Sequence, residues 1–429
     1  MSATDRRYPL SIELSTIALA LFLALPKINI LNVGGFNAGL RIDDILILAY
    51  ALLHFISRLK GKLPKLDAVE VIFYCFVLVA FMSVAVGQVW FGRSSLLFPL
   101  RYLEYFVFFY MGWRFFRQNR NKLQNVVTFL FWSNVAVALL QLSHVVGGFT
   151  VYGYATDVSE RVIGLGSGPW ELGIVLNLCS GYMLVNSRTQ VRRYITFLIA
   201  TLIILANGSR MALVAQVVIL AYYFILSGSA VGFVKRALLF LPVVVVAASF
   251  VGQSGVATRS ANLANSTNIN LFIRAYESIP ATEAAPNWGA LGVLERGGDA
   301  DPSWSMRGRK WVYAYKMWLL NPWNTLFGVG MGVFGNALDG GWLRILAETG
   351  IFGLLLFIAF LRTAARFSPE TKLAVTALAV NMLFIDIHLS YKAMSLLLLF
   401  VGYFARRHNL RRMDFADVTS EQHFDRRVS

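Results

Sequence analysis

Arginines are the side chains of this sequence whose type and placement best fit a chemical role. Arg161, Arg210, Arg307 and Arg309 each lie in a short polar segment next to a long apolar run. A guanidinium group binds phosphate through two parallel hydrogen bonds and keeps its charge. If these segments converge in the fold, the four arginines form a site for a diphosphate. Each also has a structural interpretation, as a residue of a glycine-rich loop, a helix end or a headgroup contact.

Asp339 is the candidate for proton transfer. It lies just before an apolar run that begins at Trp342, and Gly340 and Gly341 follow it directly. A carboxylate here could act as a general base or orient an acceptor hydroxyl, and Arg210 is its predicted catalytic companion. Asp339 could equally be the N-cap of the next helix, a position that favours aspartate.

Charged residues inside apolar runs need a partner. Arg344 and Glu348 are four residues apart, and Arg101 and Glu104 are three apart, so each pair can meet on one helix face. Both are predicted to be structural ion pairs, with a supporting role at the site or in a lipid groove as the alternative.

A short polar hinge separates the last two apolar runs. It contains Asp386 and His388 and ends at Lys392. We predict a solvated turn with at most a minor contribution to the site.

Two other patterns are discounted. Gly330-x-Gly332-x-x-Gly335 matches a dinucleotide-binding pattern, but that pattern requires a preceding strand and a following helix. The histidines show no spacing typical of a metal site; they are His54, His144, His388, His408 and His423. The sequence therefore predicts neither a metal nor a cofactor.

The composition is that of a membrane protein. Only 14% of the residues are charged and 57% are hydrophobic, whereas soluble domains carry about 25% charged residues. The net charge of +16 could suggest nucleic acid. Clustering of Lys and Arg in alternate loops indicates instead the charge asymmetry that orients membrane helices, and no nucleic-acid partner is predicted.

The predicted fold is all-α, with about twelve membrane helices of about 20 residues each. The runs centre near residues 18, 48, 78, 106, 136, 176, 199, 217, 244, 355, 379 and 397. Residues 1–251 hold nine of them, 252–341 form a large outer loop, 342–407 hold three more, and 408–429 form a tail. Loop charges place both termini in the cytoplasm.

The outer loop is too long to be without a function. Its middle, Glu277 to Asp301, is acidic and rich in turn residues, whereas Arg309 to Leu320 combines aromatic and basic residues in an amphipathic pattern. The second segment is predicted to be a helix lying in the membrane interface. The charged tail after Arg407 is predicted to be poorly ordered.

Three stretches resemble the bacterial O-antigen ligase and polymerase family. They are Arg161 to Trp170, then Gly208-Ser209-Arg210, then the segment from Arg307 through Asn321-Pro322 and Gly328 to the run from Leu346 to Gly353. Each motif is short, but their order, spacing and membrane side together are fairly specific. The likeness covers about residues 155 to 355, and the first four apolar runs match only in character.

The resemblance implies a metal-independent, inverting glycosyltransferase of the bacterial inner membrane whose active site faces the periplasm. The donor would be a glycan on undecaprenyl diphosphate, whose diphosphate Arg161, Arg210 and Arg307 or Arg309 would hold. Membrane lipids, a chain-length regulator and a flippase are the other partners that this function would involve.

One departure from the family pattern bears on the acceptor. Family ligases carry a His-Asn pair where this sequence has Asp339 and Gly340. This favours a polymerase of the Wzy type, which makes O-antigen or exopolysaccharide, over a ligase that transfers the glycan to lipid A-core. A transporter or flippase of lipid-linked oligosaccharides is the second alternative; it should show two similar halves, and none is evident.

Overall fold

The structure is a computed structural model. It describes residues 19, 21–25, 29–32, 39–60, 67–92, 94–118, 120–150, 153–226, 229–251, 270, 273, 275–277, 279, 302–335 and 337–428.

Helices make up most of the described chain. They are α1 (Ile42–Leu59), α2 (Ala68–Phe91), α3 (Leu97–Gln118), α4 (Arg120–Leu142), α5 (Pro169–Asn186), α6 (Gln190–Asn207), α7 (Arg210–Ile225), α8 (Ala230–Val251), α9 (Pro302–Leu319), α10 (Pro322–Phe327), α11 (Gly341–Ala365), α12 (Pro369–Asn381) and α13 (Tyr391–Val428). Two antiparallel hairpins are also present, β1 (Asn29–Asn32) with β2 (Gly39–Arg41) and β3 (Gly148–Thr150) with β4 (Gly153–Ala155).

The helices follow the apolar runs of the sequence. Eleven of the predicted centres lie inside a helix, and the first, at residue 18, lies outside the described residues. Among the described residues, three helical segments are long and apolar enough to cross a membrane, namely α2, Lys122–Leu142 of α4, and α11. This fits the predicted all-α membrane protein, whereas the count of about twelve spans stays a prediction.

Helix α13 forms the centre of the bundle. Every residue from Tyr391 to Ala405 is buried, and the helix packs against α3, α5 and α12. Its approach to α3 is close because glycines face backbone: a Cβ on Gly402 would lie 1.9 Å from the carbonyl oxygen of Phe109. Small residues at such contacts let membrane helices pack tightly.

The end of the outer loop folds against this bundle. Helix α9 begins at Pro302, earlier than the predicted Arg309, and buries Val312, Ala314 and Met317 against α10, α11 and the turn after α10. The predicted helix is therefore confirmed, and its position in the membrane interface stays a prediction. The acidic stretch from Glu277 to Asp301 lies outside the described residues, apart from 277 and 279.

The charged tail is helical, and its predicted poor order stays a prediction. Helix α13 continues past Arg407 as far as Val428. The tail contains neither glycine nor proline, and these are the residues that most often end a helix.

Candidate functional site

A glycine turn, residues 328–335, packs against a break in α11. Gly350 has a φ of 69° and interrupts the helix, which leaves carbonyls of the preceding turn without their helical donors. The amides of Val329 and Gly330 donate to the carbonyls of Ala347 and Glu348 at 2.8 and 3.2 Å, and the hydroxyl of Ser83 also donates to Glu348. Protein donors thus fill the break, as they must inside a membrane.

The turn requires its glycines. Gly328 has a φ of 84°, and a Cβ there would lie 2.2 Å from the Glu348 carbonyl group. Residues 330–335 form turns between α10 and α11, with no strand before them among the described residues. This context differs from the strand, turn and helix that a dinucleotide-binding pattern requires.

A buried ion network lies beneath the glycine turn. The Arg344 guanidinium is 3.1 Å from a Glu348 oxygen, which confirms the predicted pair. It is also 2.9 Å from a carboxylate oxygen of Asp386 and donates to the carbonyl of Gly335. Glu348 accepts a further hydrogen bond from the amide of Gly332, so the network also fixes the turn.

Asp386 holds the backbone that carries Asp339. Its carboxylate accepts hydrogen bonds from the amides of Leu338, Asp339 and Gly340 at 2.6, 3.2 and 3.0 Å. Burial alone would raise the pKa of Asp386, but Arg344 and these donors bring it below the usual value. The carboxylate therefore stays charged and keeps its hydrogen bonds to the backbone of residues 338–340.

The predicted solvated hinge is wrong. Asp386, His388 and Lys392 are only 9%, 0% and 6% exposed. Burial lowers the pKa of His388 to about 3, so its imidazole is neutral. Short polar turns are usually solvated. Here Asp386 and Lys392 bond to residues far away in the chain, and the spacing of residues in the sequence does not reveal such partners.

One interpretation predicted that Asp339 is the N-cap of α11, and that prediction is wrong. Gly340 occupies that position, and Asp339 precedes it with a φ of 60°. Aspartate tolerates this left-handed conformation better than most residues. The hydrogen bonds from the three backbone amides to Asp386, here called the Asp386 clamp, maintain it. The side chain is therefore available for another role.

Arg307 is the charged partner of Asp339. Its Nε lies 3.6 Å from a carboxylate oxygen of Asp339, and both side chains are partly exposed. Burial raises the pKa of the Asp339 carboxyl, and the charge of Arg307 only partly offsets this. Asp339 is thus a stronger base than a solvated aspartate.

Arg309 differs from Arg307 in its surroundings. It is 8% exposed and interacts within the protein, whereas Arg307 remains reachable beside Asp339. Of the two arginines, Arg307 is the better placed to meet a ligand.

Arg161 and Arg210 lie at one tight turn. Gly208 ends α6 with a φ of 67°, and α7 begins at Arg210. The Nε of Arg161 donates to the carbonyl of Asn207 at 3.4 Å, and the Asn207 amide donates to Pro169. Two predicted phosphate ligands therefore flank the N-terminus of α7, where free amides also favour an anion.

The hinge connects this turn to the Asp386 clamp. Ser390 donates to Glu171 at 2.6 Å, and Glu171 accepts from the amide of Ser167 in the arginine-bearing loop. Lys392 donates to the carbonyl of Leu165 in the same loop. Convergence of all four arginines on one ligand stays a prediction, but one short segment supports both groups.

Two further predictions concern supporting residues and metals. None of the ion pairs among the described residues joins Arg101 to Glu104, so that predicted pair is wrong; Glu104 has another partner. Among the described residues, no group of three His, Cys, Asp or Glu side chains is arranged to hold a metal.

Comparison with known proteins supports the resemblance over part of the chain. Residues 195–358 match the family model described as O-antigen ligase. A search of curated proteins finds no match. The matched segment includes Arg210, Arg307 and Asp339, whereas Arg161 and Asp386 lie outside it. The match and the apolar helices fit a membrane enzyme that processes glycans, and a ligase and a polymerase are both compatible with them.

Proposed function

We propose that this chain, which carries an O-antigen ligase domain at residues 195–358, is a polysaccharide polymerase of the bacterial inner membrane. It transfers a growing glycan from undecaprenyl diphosphate to the next lipid-linked repeat unit on the periplasmic face. The observation that carries the proposal is the pairing of Arg307 with a fixed, partly buried Asp339 next to the glycine turn.

The arginines bind the leaving group, undecaprenyl diphosphate. As the bond between the anomeric carbon and the diphosphate oxygen breaks, its electron pair passes to undecaprenyl diphosphate. Arg161, Arg210 and Arg307 stabilise that charge, an electrostatic effect that is large where water is excluded. Arg309, being buried, supports α9 instead of contacting the phosphate.

Asp339 takes the proton of the acceptor. The acceptor hydroxyl oxygen attacks the anomeric carbon from the face opposite the diphosphate, which inverts the configuration. Its proton passes to the Asp339 carboxylate, whose raised pKa suits a general base.

The proposed acceptor is the next repeat unit and not lipid A-core, and the support for this choice is that Asp339 and Gly340 stand where family ligases carry a His-Asn pair. The histidine nearest the start of α11 among the described residues is His388, whose Nδ1 would be 3.1 Å from a Cβ on Gly341. Its ring is fully buried and therefore cannot reach an acceptor. The ligase stays the alternative, favoured by the description of the matching family.

The break in α11 bears on the transporter alternative. Broken helices in transporters present free backbone groups to a substrate or ion. Here the amides of Val329 and Gly330 and the hydroxyl of Ser83 occupy the freed carbonyls, which favours an enzyme with a fixed scaffold.

The test is the glycan profile of a strain that lacks the protein, complemented with variants. Single repeat units without long chains are expected for a polymerase, whereas long chains stranded on undecaprenyl diphosphate would indicate a ligase. Arg210→Ala should reproduce the null profile. The control Arg362→Ala, which changes an exposed arginine near the far end of α11, should elongate normally. Normal elongation by a stably expressed Arg210→Ala protein would exclude the proposed role.

A further inference from the structure

A groove opens on the exposed face of α4, at the end of the bundle away from the Gly208 turn, where Arg161 and Arg210 lie. It holds a cavity of about 550 Å³ and is lined by Gln124, Asn125, Thr128, Phe129, Trp132, Ser133 and Arg192. Arg192 lies at the start of α6 and Asn207 at its end. At 1.5 Å per residue, the groove and the Gly208 turn are about 22 Å apart along that helix.

Among the described residues, four of the five polar side chains that line the groove have no partner within the protein, and the fifth, Ser133, donates to the carbonyls of Phe129 and Leu130 in its own helix. In the part of the chain that the structure describes, no hydrogen bond or ion pair engages the side chains of Gln124, Asn125, Thr128 or Arg192. Three of these residues belong to a segment apolar enough to span a membrane. Unpaired polar groups are costly there and mark sites of function.

The change from polar to aromatic side chains along the groove matches the change from headgroup to acyl chain along a lipid. Lys122 begins the membrane-spanning segment, so Gln124 lies about 3 Å and Trp132 about 15 Å into it. The groove therefore extends over one leaflet of a hydrocarbon core that is about 30 Å thick. Amides and a guanidinium lie at the shallow end, and the two aromatic rings lie deeper.

We propose that this groove binds an anionic phospholipid. The phosphate meets Arg192 and the amides of Gln124 and Asn125, while an acyl chain lies along Phe129 and Trp132. Lys122 adds a second positive charge on the same helix face as Asn125, three residues away. The loop charges predict that this end faces the cytoplasm, and inner leaflets carry anionic lipids.

The bound lipid joins two helices. Arg192 comes from α6 and the amides from α4, so one phosphate bridges the ends of both. This inference does not depend on the proposed glycosyl transfer, since it concerns the opposite end of α6.

The test uses the full-length protein in detergent, titrated with phosphatidylglycerol or with zwitterionic phosphatidylcholine. Native mass spectrometry counts retained lipids, and thermal unfolding reports stabilisation. We expect one tightly retained phosphatidylglycerol per chain and a higher Tm with that lipid alone. Arg192→Gln should weaken binding about tenfold or more, because hydrogen bonds to a charged group are the strong ones.

Arg188→Gln is the matched control. Arg188 is exposed at the same end of the bundle and does not line the groove, so its loss should leave lipid binding unchanged. Trp132→Ala should also weaken binding while leaving the headgroup preference intact.

Three results would overturn the proposal. Equal binding of the two lipids would show that the phosphate charge is not recognised. Equal stabilisation by inorganic phosphate would show that no acyl chain is held. Cross-linking of Asn125→Cys between two copies, with no lipid retained, would show that a second chain covers the groove.

Discussion

Replacing Asp386 by asparagine would test the clamp on Asp339. The change keeps the size of the side chain and removes its charge. Four donors point at the carboxylate, the amides of Leu338, Asp339 and Gly340 and the Nη1 of Arg344, at distances between 2.6 and 3.2 Å. Asparagine offers one acceptor oxygen, so its amide nitrogen must face at least one of these donors.

The cost to stability follows from this geometry. In the better orientation the new amide faces Gly340, and one buried N–H loses its acceptor, which costs about 1–3 kcal/mol. The bond from Arg344 also loses its charged acceptor, which costs about 1 kcal/mol more. Arg344 keeps Glu348 as an ion partner, so no buried charge is left unpaired. We expect a total loss of about 2–4 kcal/mol in unfolding free energy.

The effect on catalysis has its own signature. Loss of the hydrogen bond from the Gly340 amide loosens the segment and lets Asp339 move, and a displacement of about 1 Å lowers rates about 10²-fold. Burial is the main cause of the raised Asp339 pKa, and the charge of Asp386 adds to it. Removing that charge lowers the pKa of Asp339. Because a base is active above its pKa, the acid limb of the rate profile should move to lower pH.

The assay is elongation of lipid-linked repeat units by purified protein across a pH series, with thermal unfolding of the same samples. Glu370→Gln is the matched control, since it neutralises a buried carboxyl at the other end of α12. It should leave the pH profile unchanged. An Asp386→Asn protein that is less stable yet keeps the wild-type rate and acid limb would refute the positioning role.

Three further predictions concern other parts of the site. Arg307→Ala should lower kcat about 10²- to 10³-fold with little change in Tm, whereas Arg309→Ala, which empties a buried position, should chiefly lower the Tm; the reverse pattern would exchange their roles. Gly350→Ala should lower the Tm strongly, since its Cβ would lie 2.2 Å from the Leu326 carbonyl oxygen; Gly92→Ala, with a similar φ of 61° but open space, is the control. Dialysis against EDTA should leave elongation unchanged, and a loss restored by a divalent cation would contradict the metal-independent mechanism.

Local features of the site could be predicted from the sequence. The helices follow apolar runs, since a membrane helix is specified by its own composition. The Arg344–Glu348 pair was predictable because both residues lie one helical turn apart. Arg161 and Arg210 stood out as charges next to apolar runs, and Arg161 does bond to Asn207, three residues before Arg210.

Long-range partners could not be predicted. Asp386 lies 42 residues from Arg344, and nothing in the polar hinge distinguishes a carboxylate that clamps a distant backbone from one that is solvated. The Asp339 N-cap prediction failed for the same reason, since the clamp determines the local conformation and shifts the cap to Gly340. Arg307 and Arg309 look equivalent in sequence, and only the packing of α9 separates them.

The burial of α13 has a consequence for biosynthesis. This helix follows every other described helix in the chain, yet it occupies the centre of the bundle and completes the hinge. Translation adds about 5–20 residues per second from the N-terminus, so α3, α5 and α12 are made before the element they surround. Until α13 inserts, the surfaces that will enclose it face lipid or transient partners, and the bond from Lys392 to the arginine-bearing loop has not formed. A nascent chain that stops before Tyr391 would therefore contain all four candidate arginines but not the helix that joins this loop to the hinge.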